Sequence, residues 1–424
     1  MRCHLLLQSP QALQRMQQTD YCEAVRRHAD VYAFTMDEVW SQQIVLDREP
    51  ITAQSERHVH LVVMGMGSMA EMVAIHAAHT AHYPNYVHDH RLRTRITMVD
   101  ERPSAFDAFI GRYRHLFDNS YYRMVKPGDE QAVKSLHRPM YEGRREDFVD
   151  VEWEFVEAAS EQETLRQKLA LWASDERQLL TIVVAYPSAQ RNMSEALRLP
   201  DAVFRQAIPV YVYTKGEAQA TGCELQGIRL FGMTDHGYDV TLPYVRMAKN
   251  VNYIYDRCYA ENFAEDAGDM PTHLLRYAAE IDPDERDRSW DRLSNAKRQS
   301  NIRNAMTIAS KMRSVGLGED EWERFYDIAQ HDIELLAQVE HNRWSVEELI
   351  LGWRPCSDEQ QQAVENDIAQ KRVLKQQKVH YDLRAYNDLR PDETGKSVKV
   401  YDRCLCSCLP LIAKAFADEK GGEA

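Results

Sequence analysis

His58-Val-His-Leu-Val-Val-Met-Gly-Met-Gly-Ser-Met-Ala70 is the stretch whose reading decides the fold. The first seven residues form a β-rich apolar run. They lead directly into Gly65-x-Gly67-x-x-Ala70, and a helical stretch follows from Glu71 to His82. A second strand, Arg95-Ile-Thr-Met-Val99, ends at an acid, Asp100. Each part has a physical task. Gly65 permits a tight turn, Gly67 lets the backbone approach a pyrophosphate, and Ala70 lets helix and strand pack closely. The helix start, with Ser68 and Met69, offers free N–H groups and the positive end of a dipole to phosphates. Asp100 is placed to accept hydrogen bonds from a ribose. The expected cofactor is therefore NAD or another adenine nucleotide. Asp100 lies 35 residues after Gly65, against the usual ~20, so the insertion Tyr83–His90 is expected to reshape the ribose pocket.

Further strands are read at 151–156, 179–185, 208–213 and 228–231, with apolar helical segments such as 163–172 between several of them. Six strands with crossover helices define an α/β chain with a doubly wound parallel sheet. In such sheets ligands sit beyond the carboxyl ends of the strands. That places Gly65–Ala70, Asp100 and the loop Ala185–Asn192 around one crevice. This part resembles the TrkA-N (RCK N-terminal) nucleotide-binding domain over roughly residues 55–235. The resemblance implies that a nucleotide regulates rather than undergoes hydride transfer, and that two chains pair.

The insertion 102–150 carries Phe106, Phe109, Tyr113 and Phe117 on one helical face. This face is expected to pack on the sheet or on a second copy, and as an apolar surface too large to leave wet it predicts a homodimer. His76, His79 and His82 recur every three residues. Their positions drift around the wheel, so they read as histidines on a partly exposed helix rather than as a metal site. Residues 1–54, rich in Gln and Arg, read as a helical extension, and 236–330 as a helical connecting region.

A second informative stretch is Glu334 to Trp353, read as one helix. Leu335, Val339, Asn342, Val346, Leu349 and Trp353 make one stripe. At about 100° per residue, Glu340, Trp344 and Glu347 fall on a different face. They need another partner: a ligand, a second module or a neighbouring turn of the same domain. Downstream come Lys378-x-His380-x-x-Leu383, Tyr386-x-x-Leu389 and Asp402-Arg403. Together with Glu340-His341-x-x-Trp344 and Gly352-Trp353, this series resembles the RyR domain, the small helical module repeated in ryanodine receptors and found in bacterial proteins. The resemblance covers about residues 331–410 of a C-terminal unit spanning 331–424. It implies a mainly α-helical module that brings the Lys378–His380 loop and Tyr386 towards the helix. The expected ligand-binding set is Glu340, His341, Trp344, Trp353, Lys378, His380 and Tyr386, suited to an anionic, ring-bearing small molecule. RyR modules joined to Rossmann domains look like parts of bacterial signalling or phage-defence systems. Lys371, Lys375 and Lys378 would form a cationic stripe if 361–378 were one helix; an ordinary solvated face is expected.

The net charge of −14 argues against bulk nucleic-acid binding. No apolar run approaches the ~18 residues of a membrane span, and the N-terminus lacks a signal-peptide core, so a cytoplasmic protein with reduced cysteines is expected. The nucleophile elbow, the zinc-protease motif and the phosphate-loop motif are all missing. His236 and Tyr186 are candidates for a proton relay, but no spacing singles them out. The sequence thus predicts a cytosolic nucleotide-sensing regulator and no catalytic residue. The alternatives are an NAD-dependent oxidoreductase or other nucleotide-processing enzyme, and an adaptor with an empty Rossmann pocket.

Overall fold

The computed structural model describes residues 2–18, 30–128, 136–139, 146–216, 227–233, 241–260, 281–318, 330–392, 395 and 397–409. The candidate His236 lies outside these residues. The N-terminal segment is not purely helical. Two strands, β1 (Arg2–Leu6) and β2 (Asp30–Phe34), pair in parallel beside the helices Pro10–Gln18 and Met36–Ser41.

The six expected strands all form: β3 (His58–Met64), β4 (Thr94–Asp100), β7 (Val151–Glu157), β8 (Gln178–Val184), β9 (Val210–Tyr213) and β10 (Ile228–Phe231). They stand in the order β7-β4-β3-β8-β9-β10, all parallel. This is the 3-2-1-4-5-6 order of doubly wound nucleotide-binding sheets. Beyond β7 the sheet gains β5 (Tyr121–Val125) and a two-residue antiparallel β6 (Leu136–His137), both inside the insertion.

The pleat decides which side chains meet which helices. Val59, Leu61 and Val63 point to one face, where the helices Ser68–Thr80 and Pro103–Arg112 pack. Val62 and Met64 point to the other, against the helices Glu163–Ser174 and Ala189–Leu197. Phe106, Phe109 and Phe117 are essentially fully buried against Trp153 and Phe155 of β7. These three rings complete the chain's own core, so the expectation of a dimer loses its apolar surface.

A polar line crosses the second face of the sheet. His60 bonds Gln178 through Nδ1 at 2.6 Å and Thr97 through Nε2 at 2.8 Å. Thr97 in turn donates to Glu154 at 3.3 Å. Burial, assisted by Arg95, lowers the His60 pKa to about 3. A depressed histidine pKa contributes stability that is full above the unfolded value of ~6.5 and is lost as pH falls towards the folded one. Between pH 7 and pH 5 His60 should cost the native state about 2 kcal/mol. Urea midpoints at the two pH values check this: His60→Leu should flatten the dependence, and an unchanged slope would contradict it.

The helix Gln330–Ile350 is the spine of the C-terminal part. Its N-terminal half buries Ile333, Leu336 and Ala337 in a helical core with Trp290, Ile308 and Met312, on the helices Pro283–Asp291 and Ile308–Ser314. Its C-terminal half buries Val346, Leu349 and Ile350 in the core of the sheet's first face. It ends where Gly352 takes φ +87°, with Gly352 N–H donating to Leu349 and Trp353 N–H to Glu348. These paired bonds satisfy carbonyls that the helix leaves open. The region after it is not one helix but two, Asp358–Asn366 and Gln370–Gln376. The lysine stripe that a single helix over 361–378 would have made is therefore absent: Lys371 lies 3.5 Å from Asp382 and Lys378 follows the second helix. Cys404 is disulfide-bonded, contrary to the expectation of reduced thiols throughout.

Candidate functional site

The crevice opens where β3 has β4 on one side and β8 on the other. Met64 stands level with Val99 and Val184, so the chain leaves all three strands together. Gly65 then turns with φ +106°, its N–H donating to the Val99 carbonyl at 2.8 Å. A Cβ on Gly65 would sit 3.0 Å from the Tyr186 nitrogen and 3.1 Å from the Ala185 carbonyl. Backbone conformation and close approach both require glycine there. Gly67 caps the helix Ser68–Thr80 in extended conformation and offers no side chain to the first-turn N–H groups. A Cβ on Gly67 would meet Pro187 Cγ at 3.4 Å. Met69 and Ala70 are buried against the sheet, and the Ser68 hydroxyl donates to Asp37.

Asp100 ends β4, buried to 2% exposure. Its carboxylate accepts from Arg102 N–H at 3.0 Å and from the Arg102 guanidinium at 2.9 and 3.2 Å. Arg102 also donates to the Met66 carbonyl at 3.1 Å, so it spans the turn and the acid. More than half of its side chain is exposed. Across the crevice, Asn192 fixes the loop after β8: its Oδ1 accepts from Tyr186 N–H at 2.7 Å, and its Nδ2 donates to the Tyr186 and Tyr213 carbonyls at 2.9 Å each. Arg191 lies 3.9 Å over the Tyr186 ring. Burial raises the Tyr186 hydroxyl well above its ordinary pKa, opposite to what a proton-abstracting group needs.

The structure thus places Gly65, Gly67, Ser68, Met69, Ala70 and Asp100 together at the carboxyl ends of β3 and β4. The insertion Tyr83–His90 does not reshape this crevice. The helix Ser68–Thr80 carries the chain back to the other end of the strands. There Asn85 donates to the Ser55 and Arg57 carbonyls, just before β3 begins. Arg102 is the residue sequence reasoning missed, as it missed the bonding role of Asn192 at the end of the loop Ala185–Asn192. For Arg102 a signal existed: an acid followed two residues later by a residue that can close a turn on it.

Six of the seven residues expected in the C-terminal module fall into three groups. Trp344, Trp353 and His380 form an aromatic trio, with the His380 ring 4.9 Å from Trp344 and 5.6 Å from Trp353. His380 Nδ1 accepts from Asp382 N–H at 3.2 Å, and burial lowers its pKa to about 4. Lys378 turns away, donating to the Leu351 carbonyl at 3.2 Å at the end of the long helix. Lys378→Ala should therefore cost about 0.5–1 kcal/mol as a lost C-terminal cap, and thermal melts check it. His341 and Tyr386 lie deeper, 5.8 Å apart, with His341 Nε2 on the Arg384 carbonyl at 2.8 Å.

Glu340 belongs to neither group. It accepts from Lys311 at 2.5 Å and from Arg343 at 2.9 and 3.0 Å. Arg343 also holds Glu347 at 2.7 Å, and Glu347 accepts from Arg303 at 2.8 Å and Ser300 at 3.0 Å. All five charged groups of this network, Glu340, Glu347, Arg343, Lys311 and Arg303, are at most 9% exposed. The Glu340 oxygens are used by the helix Ile308–Ser314 and the long helix itself, and those of Glu347 by the helix Asn295–Met306 and the long helix, not by an open pocket. Of the partners left open for Glu340 and Glu347, those found are helices of the connecting region, through Lys311 and Arg303, together with Arg343 one turn away.

His79 and His82 are buried rather than solvated: His82 pairs with Asp150 at 2.7 Å and reaches the Ala78 carbonyl. Among the described residues no group of His, Cys, Asp and Glu could hold a metal ion, and no helix is long and apolar enough to cross a membrane. No protein-family model, curated protein or solved structure matches the chain.

Proposed function

We propose that this protein is a nucleotide-binding regulator that takes NAD or another adenine nucleotide in the crevice above Gly65–Ala70. One observation carries the reading. At the reversal point of a 3-2-1-4-5-6 sheet, a helix begins with no side-chain cap, beside a strand that ends in a buried carboxylate. The pyrophosphate would lie on the first-turn N–H groups of Ser68, Met69 and Ala70. The ribose diol would donate to Asp100, with Arg102 swinging out from the acid towards the phosphates. Binding without turnover fits the crevice, because no described side chain there is poised to move a proton. The aromatic trio of the C-terminal part is read as packing that ties the Val379–His380 strand to the long helix.

Calorimetric titration of the full chain with NAD, ADP and NADP tests the proposal. Saturable one-to-one binding of NAD or ADP is expected, with NADP weaker because its 2′-phosphate meets Asp100. No heat from any of the three at millimolar concentration would remove the reading. Consumption of NAD during the titration would favour an enzyme instead.

A further inference from the structure

The helix Ser68–Thr80 has a second side. Away from the sheet it borders a cavity of about 380 Å³, a size that suits a small organic ligand. Every major part of the chain contributes a wall: the N-terminal segment through Leu13 and Gln42, the sheet domain through His76 and His79, and the connecting helix through Ile302 and Arg303. The end of the long helix closes it with Ile350.

Its chemistry is specific. His79 is only 4% exposed, and its Nδ1 has no hydrogen-bond partner. A buried ring nitrogen left in this state is destabilising, and a bound partner would relieve it. Burial, with Arg303 beside them, keeps His76 and His79 neutral, with the His76 pKa held down to about 4. The two arginines in the wall are already balanced, Arg112 by Glu71 and Arg303 by Glu347. Among its described lining residues the cavity therefore offers no spare cation to an anion. It offers neutral imidazoles at one side and apolar Met72, Ile75, Ile302 and Met306 around them.

We propose that this cavity is a second ligand site, for an uncharged planar heterocycle of the nucleobase or nucleoside class. Such a ring presents apolar faces to the methionines and isoleucines. Its edge carries both donors and acceptors, so it satisfies His79 Nδ1 in either tautomer. The site stands apart from the nucleotide crevice, although Ser68 lines its rim as well as starting the phosphate-facing turn. An occupant would touch all the walls at once and so hold the N-terminal segment, the sheet and the connecting helices in one arrangement.

Adenosine, guanosine, cytidine and uridine, each titrated into the full chain up to 1 mM, test the proposal. At least one is expected to bind one-to-one. His79→Leu should weaken it about tenfold, the worth of one hydrogen bond, and Ile302→Trp should abolish it by filling the space. Asp100→Asn should leave it unchanged. Cooperative melts establish that each variant folds, and either cavity variant suffices if the other does not. The proposal is overturned if no nucleoside binds. It is equally overturned if binding survives in the folded cavity variant, or if Asp100→Asn alone removes it and so places the nucleoside in the nucleotide crevice.

Discussion

Arg343→Met is expected to cost the native state about 3–5 kcal/mol. The Arg343 guanidinium makes three hydrogen bonds to Glu340 and one to Glu347, with all three groups at most 3% exposed. Burial by itself would raise the Glu340 pKa, yet Arg343 and Lys311 more than reverse it and hold the carboxyl well below the usual range. Glu347 is likewise lowered, by Arg343 and Arg303 against its burial. Without Arg343 each carboxylate keeps one cation, but it loses the fork that fixes its geometry and half of the charge that offsets its desolvation. The sign with pH follows. A depressed carboxylate contributes stability that is full above its unfolded pKa and lost as pH falls through its folded one. The wild type should therefore keep this contribution in full down to about pH 5 and lose it gradually below, while Arg343→Met should lose stability at higher pH. Denaturant titrations at pH 7 and pH 4 measure both effects. A change under 1 kcal/mol at pH 7 would mean that the network is spectator to the fold.

Gly67→Val should weaken NAD binding by at least about a hundredfold, close to 2.8 kcal/mol. The valine would stand at the helix start, over the N–H groups that the pyrophosphate must reach. The substitution also presses on the loop after β8, since even a Cβ lies 3.4 Å from Pro187 Cγ. Gly67 has φ −120°, which any residue adopts, so the backbone itself imposes no strain. A modest fall in melting temperature with near-complete loss of binding is the expected pair of results. Gly65→Ala should behave in the opposite way. Its φ of +106° and 3.0 Å approach to Tyr186 make it a folding defect first. Equal NAD affinity in wild type and Gly67→Val would show that the ligand does not use this turn.

Much of the sheet was legible because its strands are continuous apolar runs bounded by turn residues. His58–Met64 and Gln178–Val184 are buried on both faces, and their composition says so. The Gly65 turn was legible for a steric reason that operates within a few residues. What was missed depends on residues distant in the chain. β5 contains Arg123 between tyrosines and Met124 and reads as no clear period, yet it adds to β7 because the aromatic helices 103–118 deliver it there. The segment 1–54 was read from its Gln and Arg content, which hid the short runs Arg2–Leu6 and Asp30–Phe34 that pair only with each other. Glu340 and Glu347 were correctly separated from the apolar stripe. Their partners Lys311 and Arg303 come from other helices, and helical spacing carries no information about them.

Photolabelling with an azido-adenine analogue of NAD, followed by peptide mass spectrometry, tests the central claim most directly, because it reports where the adenine sits. The account predicts saturable labelling, suppressed by unmodified NAD, in peptides containing Asp100–Ala105 or Tyr186–Arg191, the two loops that flank the crevice. Labelling confined to the helices beyond Thr241, or none that NAD suppresses, would contradict it.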